Sequence, residues 1–216
     1  MHTTADGVVV VCHDPTVDET TDGRGPIHAM TLAQLKQLDA GYRWTADGGR
    51  TFPFRGQGIT IPTFEEVVTA LPQMRINVDI KQEAPSMVDD FIAALDRLDC
   101  HERVMVGSFH GRELARFRQR CPRVATSAGL EETRLFYFAS LAGLTGLLRP
   151  AYQAFQVPEW SGRIHVVTPR FIRAAHARGI EVHVWTVDEV ADMQRLMAWG
   201  VDGLITDYPD RLMALV

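Results

Sequence analysis

The chain has 216 residues, enough to bury one sizeable core, and domain statistics favour one domain over two. Hydrophobic residues make up 46% of the sequence and charged residues 23%, as in ordinary soluble globular proteins. The formal net charge of −5 leaves no basic footprint, which excludes nucleic acid as an expected partner.

The first notable stretch is Val8–Cys12, an unbroken apolar run that predicts a strand buried on both faces. Pro15 cannot donate to a sheet ladder, so this strand is expected to end before it, at His13 and Asp14. A histidine and an aspartate at the C-terminal tip of a buried strand are typical of catalytic sites in α/β proteins. Taken alone, the pair favours a plainer interpretation, a strand-terminal histidine bonded to the backbone.

A short helix is predicted between a cap at Thr31 and a stop at Gly41. Around it, residues 24–62 are expected to form an irregular excursion. The glycine-rich later part of the excursion carries three arginines, Arg43, Arg50 and Arg55. A mobile surface loop is the ordinary interpretation of such a segment, and the alternative is a binding loop whose basic groups approach a phosphate.

From Thr63 onward the sequence alternates between helix and strand patterns, beginning with a Thr-x-x-Glu capping box. Strands are expected at residues 75–80, 104–108, 124–128, 154–157, 181–186 and 203–206. Helices are expected at residues 63–72, 86–98, 112–120, 131–148, 168–178 and 188–198. The short connections indicate a run of βα units, with a parallel sheet and right-handed crossovers.

A doubly wound open sheet and a (β/α)8 barrel both fit this period. No strand is followed by a Gly-x-Gly-x-x-Gly loop, which disfavours the nucleotide-binding open sheet. Polar residues recur instead at the predicted strand tips: His13, Asp79, Lys81, Ser108, Gln156, Glu159, Thr186 and Asp207. A ring of polar tips is what a barrel active site needs, so a TIM-type (β/α)8 barrel is predicted.

Asp79 and Lys81 are two residues apart and therefore face the same side of one predicted strand. Burying a carboxylate and an ammonium group there is costly unless they pair or bind a ligand. A structural ion pair satisfies that requirement, and so does a metal-binding carboxylate beside a phosphate-binding amine.

The opening string Thr-x-Asp-Gly-x-x-Val-x-x-His-Asp-x-x-x-x-x-Thr-Thr-Asp-Gly-x-Gly resembles the signature of the glycerophosphodiester phosphodiesterase family. It is carried by Thr4, Asp6, Gly7, Val10, His13, Asp14, Thr20, Thr21, Asp22, Gly23 and Gly25. Four later segments resemble other strand-end motifs of that family: Asn77–Lys81, Ser108-Phe109, Trp185-Thr186 and residues 200–209. The resemblance covers nearly the whole chain.

This resemblance implies hydrolysis of a small-molecule glycerophosphodiester to glycerol 3-phosphate and an alcohol, with a divalent cation, Ca²⁺ or Mg²⁺. It implies that His13 is an acid–base residue that protonates the leaving group, and that the glycerol hydroxyl is an internal nucleophile. It also implies a metal ligand at Asp79, where the family usually has Glu, and substrate-binding residues at Lys81 and Trp185.

The other residues near the predicted strand tips are expected to support the structure rather than to take part in the chemistry. Ser108 and Phe109 are expected to shape the pocket, and Asp207 to fix the rim of the barrel. His110 is expected to have no role. The same holds for the histidines to which the sequence assigns no partner: His2, His28, His101, His165, His176 and His183.

Two family motifs do not occur in the 216 residues, the His-Arg-Gly of strand one and the Glu-x-Asp of strand two. The expected structure is therefore a barrel without its first βα unit and most of its second strand, with weak metal affinity and low activity. A start placed at an internal Met is the favoured explanation. The alternatives are a shortened, catalytically dead barrel that binds a phosphate ligand or a partner, and completion by another chain.

Three scattered cysteines, Cys12, Cys100 and Cys121, are expected to be free thiols of a reducing compartment. The longest apolar stretch, residues 135–148, is too short to span a bilayer, so no transmembrane segment is predicted. No signal-peptide pattern opens the sequence, and a cytoplasmic location is expected. The oligomeric state is left open.

Overall fold

The computed structural model describes residues 1–216. Its packing divides the chain into two compact units, Met1–Val124 and Ala125–Val216, and each unit contains hydrophobic clusters of its own. Helices alternate with parallel strands in both units, which confirms the α/β class. The single domain expected over residues 1–216 stays a prediction.

The first unit consists of β1 (His2–Thr3), β2 (Val9–Val10), α1 (Leu32–Leu35), α2 (Phe64–Ala70), β3 (Ile76–Asp79), α3 (Val88–Leu98), β4 (Val104–Gly107) and α4 (Gly111–Arg120). β3 and β4 pair in parallel, with Asp79 opposite Gly107 at their carboxyl ends. Residues 80–82 and 108–110 therefore leave the sheet at the same edge.

The opening strand is shorter than the one predicted over Val8–Cys12. Only Val9 and Val10 are in a strand, and β2 pairs with β1 in antiparallel fashion. Val9 and Val10 are 4% and 0% exposed, whereas Val11 is 36% exposed. Val9 and Val10 point to opposite faces and pack in two different hydrophobic clusters, so the strand is buried on both faces over these two residues and ends before Val11.

The two predicted helix caps are confirmed. The side chains of Thr31 and Thr63 each accept a hydrogen bond from the backbone N–H three residues further on. Gln34 and Glu66 complete the capping boxes by accepting from the backbone N–H of the cap residue. α1 ends at Leu35, earlier than predicted, because the next turn is closed by backbone bonds between residues three apart.

Residues 36–62 contain no strand or helix and form the main part of the predicted excursion. Asp47 closes its tip by accepting from the backbone N–H of Thr51 at 2.9 Å and from the Thr51 hydroxyl at 2.8 Å. Led by the backbone bond, these contacts lower the pKa of Asp47 to about 2. Arg55 packs over the ring of Tyr42, with its guanidinium carbon 4.0 Å from the ring centroid. This arginine is therefore engaged within the excursion itself.

Three phenylalanines from three helices form the centre of the first hydrophobic cluster. Phe91 of α3 meets the ring of Phe64 of α2 edge to face, with centroids 5.3 Å apart. It also stacks on Phe117 of α4 at 5.6 Å. Phe64 is 1% exposed and the other two rings are fully buried. These contacts tie α2, α3 and α4 together over β3 and β4.

The second unit consists of β5 (Ala125–Thr126), α5 (Leu130–Ala142), β6 (Ala154–Pro158), β7 (Trp160–Ser161), β8 (Ile164–His165), α6 (Pro169–His176), β9 (Glu181–Trp185), α7 (Val190–Trp199), β10 (Gly203–Leu204) and α8 (Pro209–Met213). β9 is central and pairs in parallel with β6 on one side and β10 on the other. Pro158 lies opposite Trp185, so β6 and β9 end at the same edge.

The second unit departs from the predicted elements at three places. α5 ends at Ala142 rather than near residue 148, because Gly143 adopts a left-handed conformation with φ of 72°. The antiparallel hairpin of β7 and β8 was not predicted, since strands of two residues are too short to show a periodic pattern. α8 follows the last predicted strand. None of the helices has the length and apolar character that crossing a membrane requires.

All three cysteines are free thiols, as predicted. Cys100 and Cys121 are 1% and 4% exposed, and this burial raises the pKa of both thiols. Cys12 is half-buried and immediately precedes His13.

Candidate active site

A cavity of about 240 Å³ opens in the first unit. It is lined by His2, His13, Asp14, Pro15, Ile80, Lys81, Phe109 and His110. These residues come from β1, from the segment after β2, and from the carboxyl ends of β3 and β4. Because carboxyl ends of parallel strands meet at one edge, residues far apart in the sequence converge there. Two of the four predicted site residues, His13 and Lys81, line this cavity.

His13 is held between an acidic and a basic partner. Its Nδ1 lies 2.8 Å from Asp14 Oδ1, and its Nε2 lies 3.2 Å from Lys81 Nζ. An ammonium group can only donate, so Nε2 accepts and Nδ1 carries the proton that it donates to the carboxylate. The His13 side chain is 81% exposed, which leaves Nε2 open to exchange its partner for a ligand.

Lys81 also contacts the third predicted residue. Its Nζ lies 3.7 Å from Asp79 Oδ2, so strand spacing correctly predicted that the two charges face the same side. The side chains of Lys81 and Asp79 are 24% and 31% exposed. An ion pair in partial contact with water contributes little to stability, so the fold does not depend on this pair.

His2, for which no partner was predicted, is buried beside the cavity. It is 2% exposed, and its Nε2 donates to the backbone oxygen of His13 over 3.3 Å. Burial lowers the pKa of His2 to about 4, so the ring is neutral at pH 7. The neutral imidazole holds the backbone of the residue whose side chain faces the cavity. The sequence signal for this contact is weak, because the acceptor is a main-chain carbonyl.

The carboxyl end of β4 supplies another contact that sequence reasoning missed. Ser108 is 8% exposed, and its Oγ donates to the backbone oxygen of Ile80 over 2.6 Å. His110, expected to have no role, lines the cavity, and its Nε2 donates to the backbone oxygen of Lys81 over 3.2 Å. Its position two residues after the tip residue Ser108 was the available signal. Phe109 lines the same cavity, in keeping with its expected part in shaping the pocket.

Four other histidines expected to lack partners contact carboxylates. The pairs are His101–Asp96, His165–Glu159, His176–Asp202 and His183–Glu181. Folding and strand alternation bring these groups together, which the surrounding sequence did not reveal. None of these four histidines lines the cavity that contains His13.

Trp185, the fourth predicted site residue, belongs to the second unit and ends β9. It lines a cavity of about 500 Å³ together with Pro158, Glu159, Trp160, Thr186, Val187, Asp188, Glu189 and Asp192. Glu159 accepts from both terminal nitrogens of Arg195, at 2.7 and 2.9 Å, and these bonds lower the pKa of Glu159. A contact between Trp185 and substrate stays a prediction.

The described side chains do not fit a metal site. Residues 1–216 contain no group of three or more His, Cys, Asp or Glu side chains placed to hold an ion. Asp79 is a single carboxylate, and a hard cation such as Ca²⁺ takes about six to eight oxygen ligands. The charged group beside Asp79 is the Lys81 ammonium, which competes with a cation for the same oxygens.

Comparison with known proteins finds relatives over almost the whole chain. The model of the glycerophosphoryl diester phosphodiesterase family matches residues 1–211. The chain is 32% identical over 222 residues to a glycerophosphodiester phosphodiesterase of Caldanaerobacter subterraneus subsp. tengcongensis. That similarity covers 99% of this chain and 82% of the relative.

Two solved structures have the same fold. A glycerophosphoryl diester phosphodiesterase domain from Mycobacterium tuberculosis gives a TM-score of 0.82 at 23% identity, covering 99% of this chain and 84% of that chain. A phosphodiesterase of Oleispira antarctica, solved with the product sn-glycerol-3-phosphate, gives a TM-score of 0.70 at 22% identity. The match covers 98% of this chain and 81% of that chain. Structures of this family are TIM barrels, the fold predicted from the strand tips. The chain belongs to the glycerophosphoryl diester phosphodiesterase family.

Proposed function

We propose that the chain hydrolyses glycerophosphodiesters to glycerol 3-phosphate and an alcohol. Family membership supports the reaction class, and a relative named glycerophosphodiester phosphodiesterase supports the substrate class. The observation that carries the proposal is the contact of the Lys81 ammonium with His13 Nε2 at 3.2 Å in one cavity. A cation and a proton-transfer group side by side are what a phosphodiester substrate needs.

Lys81 is the proposed phosphate-binding residue. In the structure its ammonium donates to the imidazole of His13, and on binding it would exchange this partner for a phosphate oxygen. The exchange is favourable because a hydrogen bond between two charged groups is stronger than one to a neutral ring. Asp79, 3.7 Å away, keeps the ammonium directed to the same side of the strand end.

His13 is the proposed proton-transfer residue. Its Nε2 has a lone pair in this structure, so it first takes a proton from the attacking hydroxyl as that oxygen bonds to phosphorus. The protonated ring then gives the proton to the leaving alcohol oxygen as its bond to phosphorus breaks, the role predicted from the family resemblance. With the internal glycerol hydroxyl as the nucleophile, this step leaves a cyclic phosphate. The same ring would then take a proton from a water that attacks phosphorus and give it to the glycerol oxygen that leaves, which opens the ring to glycerol 3-phosphate. Asp14 holds Nδ1 at 2.8 Å and would stabilise the imidazolium between these steps.

A divalent cation, Ca²⁺ or Mg²⁺, enters the proposal through the family resemblance, with Asp79 as the ligand that this chain offers. The side chains of residues 1–216 do not complete a coordination shell, so no step is assigned to a metal. The predicted lack of a first βα unit and most of a second strand also stays a prediction, as does the cytoplasmic location.

The alternative function is a catalytically dead barrel that binds a phosphate ligand or a partner. The relative of 32% identity is named as an enzyme, which favours hydrolysis over this alternative. Both functions use Lys81 to bind phosphate, and only hydrolysis needs proton transfer by His13. Binding and turnover therefore distinguish them.

The test is release of glycerol 3-phosphate from glycerophosphocholine, followed in a coupled dehydrogenase assay with and without EDTA. Lys81→Met and His13→Ala should each lower the rate, and EDTA should lower it if a metal takes part. Lys36→Met is the matched control, because Lys36 is the other lysine of the chain, pairs with Glu66 and is also 24% exposed. No release by the folded protein, or equal rates for the two lysine variants, would contradict the proposal.

A further inference from the structure

The backbone of Lys81 lies beyond the ladder that joins β3 to β4. The register of the two strands ends at Asp79 opposite Gly107, and one further bond joins the Ile80 N–H to the Gly107 oxygen at 2.9 Å. Beyond this bond, the backbone carbonyls of Ile80 and Lys81 accept hydrogen bonds from side chains that follow β4, rather than from the backbone N–H groups of a strand. Ser108 Oγ binds the first at 2.6 Å and His110 Nε2 binds the second at 3.2 Å.

The geometry of His110 identifies it as a supporting residue. Its backbone N–H donates to Ser108 Oγ at 3.0 Å, which places the ring over the end of β3. A carbonyl oxygen can only accept, so Nε2 carries a proton and donates to Lys81. Nδ1 lies 3.4 Å from Glu83 Oε2. Nε2 therefore cannot serve a substrate without breaking its bond to Lys81, and Nδ1 faces the Glu83 carboxylate.

Small movements of the Lys81 backbone would change what its ammonium can reach. Nζ lies 3.2 Å from His13 Nε2 and 3.7 Å from Asp79 Oδ2, distances at the outer limit of direct contact. A shift of the Lys81 backbone by about 1 Å would change these distances, and misplacement on that scale is costly for catalytic groups.

We propose that His110 is a positioning residue that fixes the Lys81 backbone, so that the ammonium meets a phosphate group beside His13. The inference rests on the phosphate-binding role proposed for Lys81. His110 acts on the ligand only through Lys81, by holding its carbonyl. It therefore sets affinity for the phosphate group and leaves proton transfer to His13.

The experiment is calorimetric titration of the purified chain with sn-glycerol 3-phosphate. Loss of one hydrogen bond should make His110→Ala bind about fivefold more weakly. His110→Gln should stay within about twofold of wild type, because the glutamine amide can still donate to the Lys81 oxygen. His176→Ala is the matched control: this histidine also donates to an oxygen acceptor, is 42% exposed against 35% for His110, and should leave affinity unchanged.

A double-mutant cycle separates positioning from a general effect on structure. Lys81→Met alone should weaken binding about tenfold or more, since it removes a charge-assisted contact. Adding His110→Ala to Lys81→Met should then cause no further loss, because His110 acts only through Lys81. Circular dichroism checks that each variant is folded. If His110→Ala unfolds, His110→Phe replaces it, because phenylalanine keeps a ring at this position but cannot donate to the Lys81 oxygen, and it should also bind about fivefold more weakly.

Three outcomes would overturn these claims, two of them the role of His110 and one the role of Lys81. Wild-type affinity in folded His110→Ala, or losses that add in the double variant, would overturn the positioning role while leaving Lys81 as the phosphate ligand. Wild-type affinity in Lys81→Met would overturn the phosphate role of Lys81 and the inference that depends on it.

Discussion

Acidification is expected to destabilise the protein through His2. The ring is 2% exposed, and burial lowers its pKa from the ordinary 6.5 to about 4. In the unfolded chain His2 returns to its ordinary pKa, so between pH 6.5 and 4 the unfolded state binds a proton that the folded state excludes. The contribution of His2 to the unfolding free energy is therefore fully present above pH 6.5 and is lost as the pH falls to about 4. Below about pH 4, His2 causes no further destabilisation.

The size of the effect follows from the same two pKa values. The gap between 6.5 and about 4 corresponds to roughly 3 kcal/mol of unfolding free energy, at about 1.4 kcal/mol for each pH unit. At pH 4.5 the linkage relation gives a loss of about 2.5 kcal/mol. The bond from Nε2 to the His13 oxygen favours the protonated ring and opposes burial, so the pKa of about 4 is the balance of the two effects, with burial the larger.

The assay is urea unfolding followed by circular dichroism at pH 7.0, 5.5 and 4.5. His2→Gln keeps a donor for the His13 carbonyl but cannot take up a proton in this range. Because carboxylates titrate in the same window, the measured quantity is the difference between the two proteins. Wild type should lose about 2 kcal/mol more than His2→Gln by pH 4.5. His28→Gln, at an exposed position, should behave as wild type. Equal losses in wild type and His2→Gln would refute the reasoning.

Three further predictions concern the site, the core and the excursion. His13→Ala should lower turnover of a glycerophosphodiester about 10²–10⁴-fold without changing the circular dichroism spectrum; unchanged initial rates would remove His13 from the chemistry. Phe91→Ala, which opens a cavity between three helices, should cost about 3–5 kcal/mol in urea unfolding, and a cost under about 1 kcal/mol would mean that the helices repack. Gly41→Ala should cost about 1–3 kcal/mol, because its Cβ would meet the Phe54 carbonyl oxygen. Gly146→Ala, where a Cβ meets open space, is the control, and an equal effect of both would contradict the clash.

Features decided by one local pattern could be predicted from the sequence. The capping boxes at Thr31 and Thr63 need only a side chain and an N–H three residues away, and both are present. The shared face of Asp79 and Lys81 follows from the two-residue period of a strand, and their charged atoms lie 3.7 Å apart. The motif that contains His13 likewise indicated a functional position, and the residue lines the cavity, three residues after β2 ends at Val10.

The contacts that organise the cavity could not be predicted, because they end on backbone carbonyls. Every residue has a carbonyl, so nothing in the sequence marks those of His13 and Lys81 as the acceptors for His2 and His110. These partners are 11 and 29 residues apart in the chain. The exposure of Val11 was missed for a related reason, since β2 ends at Val10, where its pairing with β1 ends, and the sequence of one strand does not show how far its partner extends.

The thiols of this protein offer a route to observing its cavity directly. Cys100 and Cys121 are buried, and burial disfavours the thiolate that reacts with alkylating reagents. Cys12 is half-buried and adjoins His13. A maleimide fluorophore added in limiting amount should therefore label the native sequence at Cys12 first. Its emission would then follow the segment that carries His13 while ligands are added, with no cysteine introduced or removed.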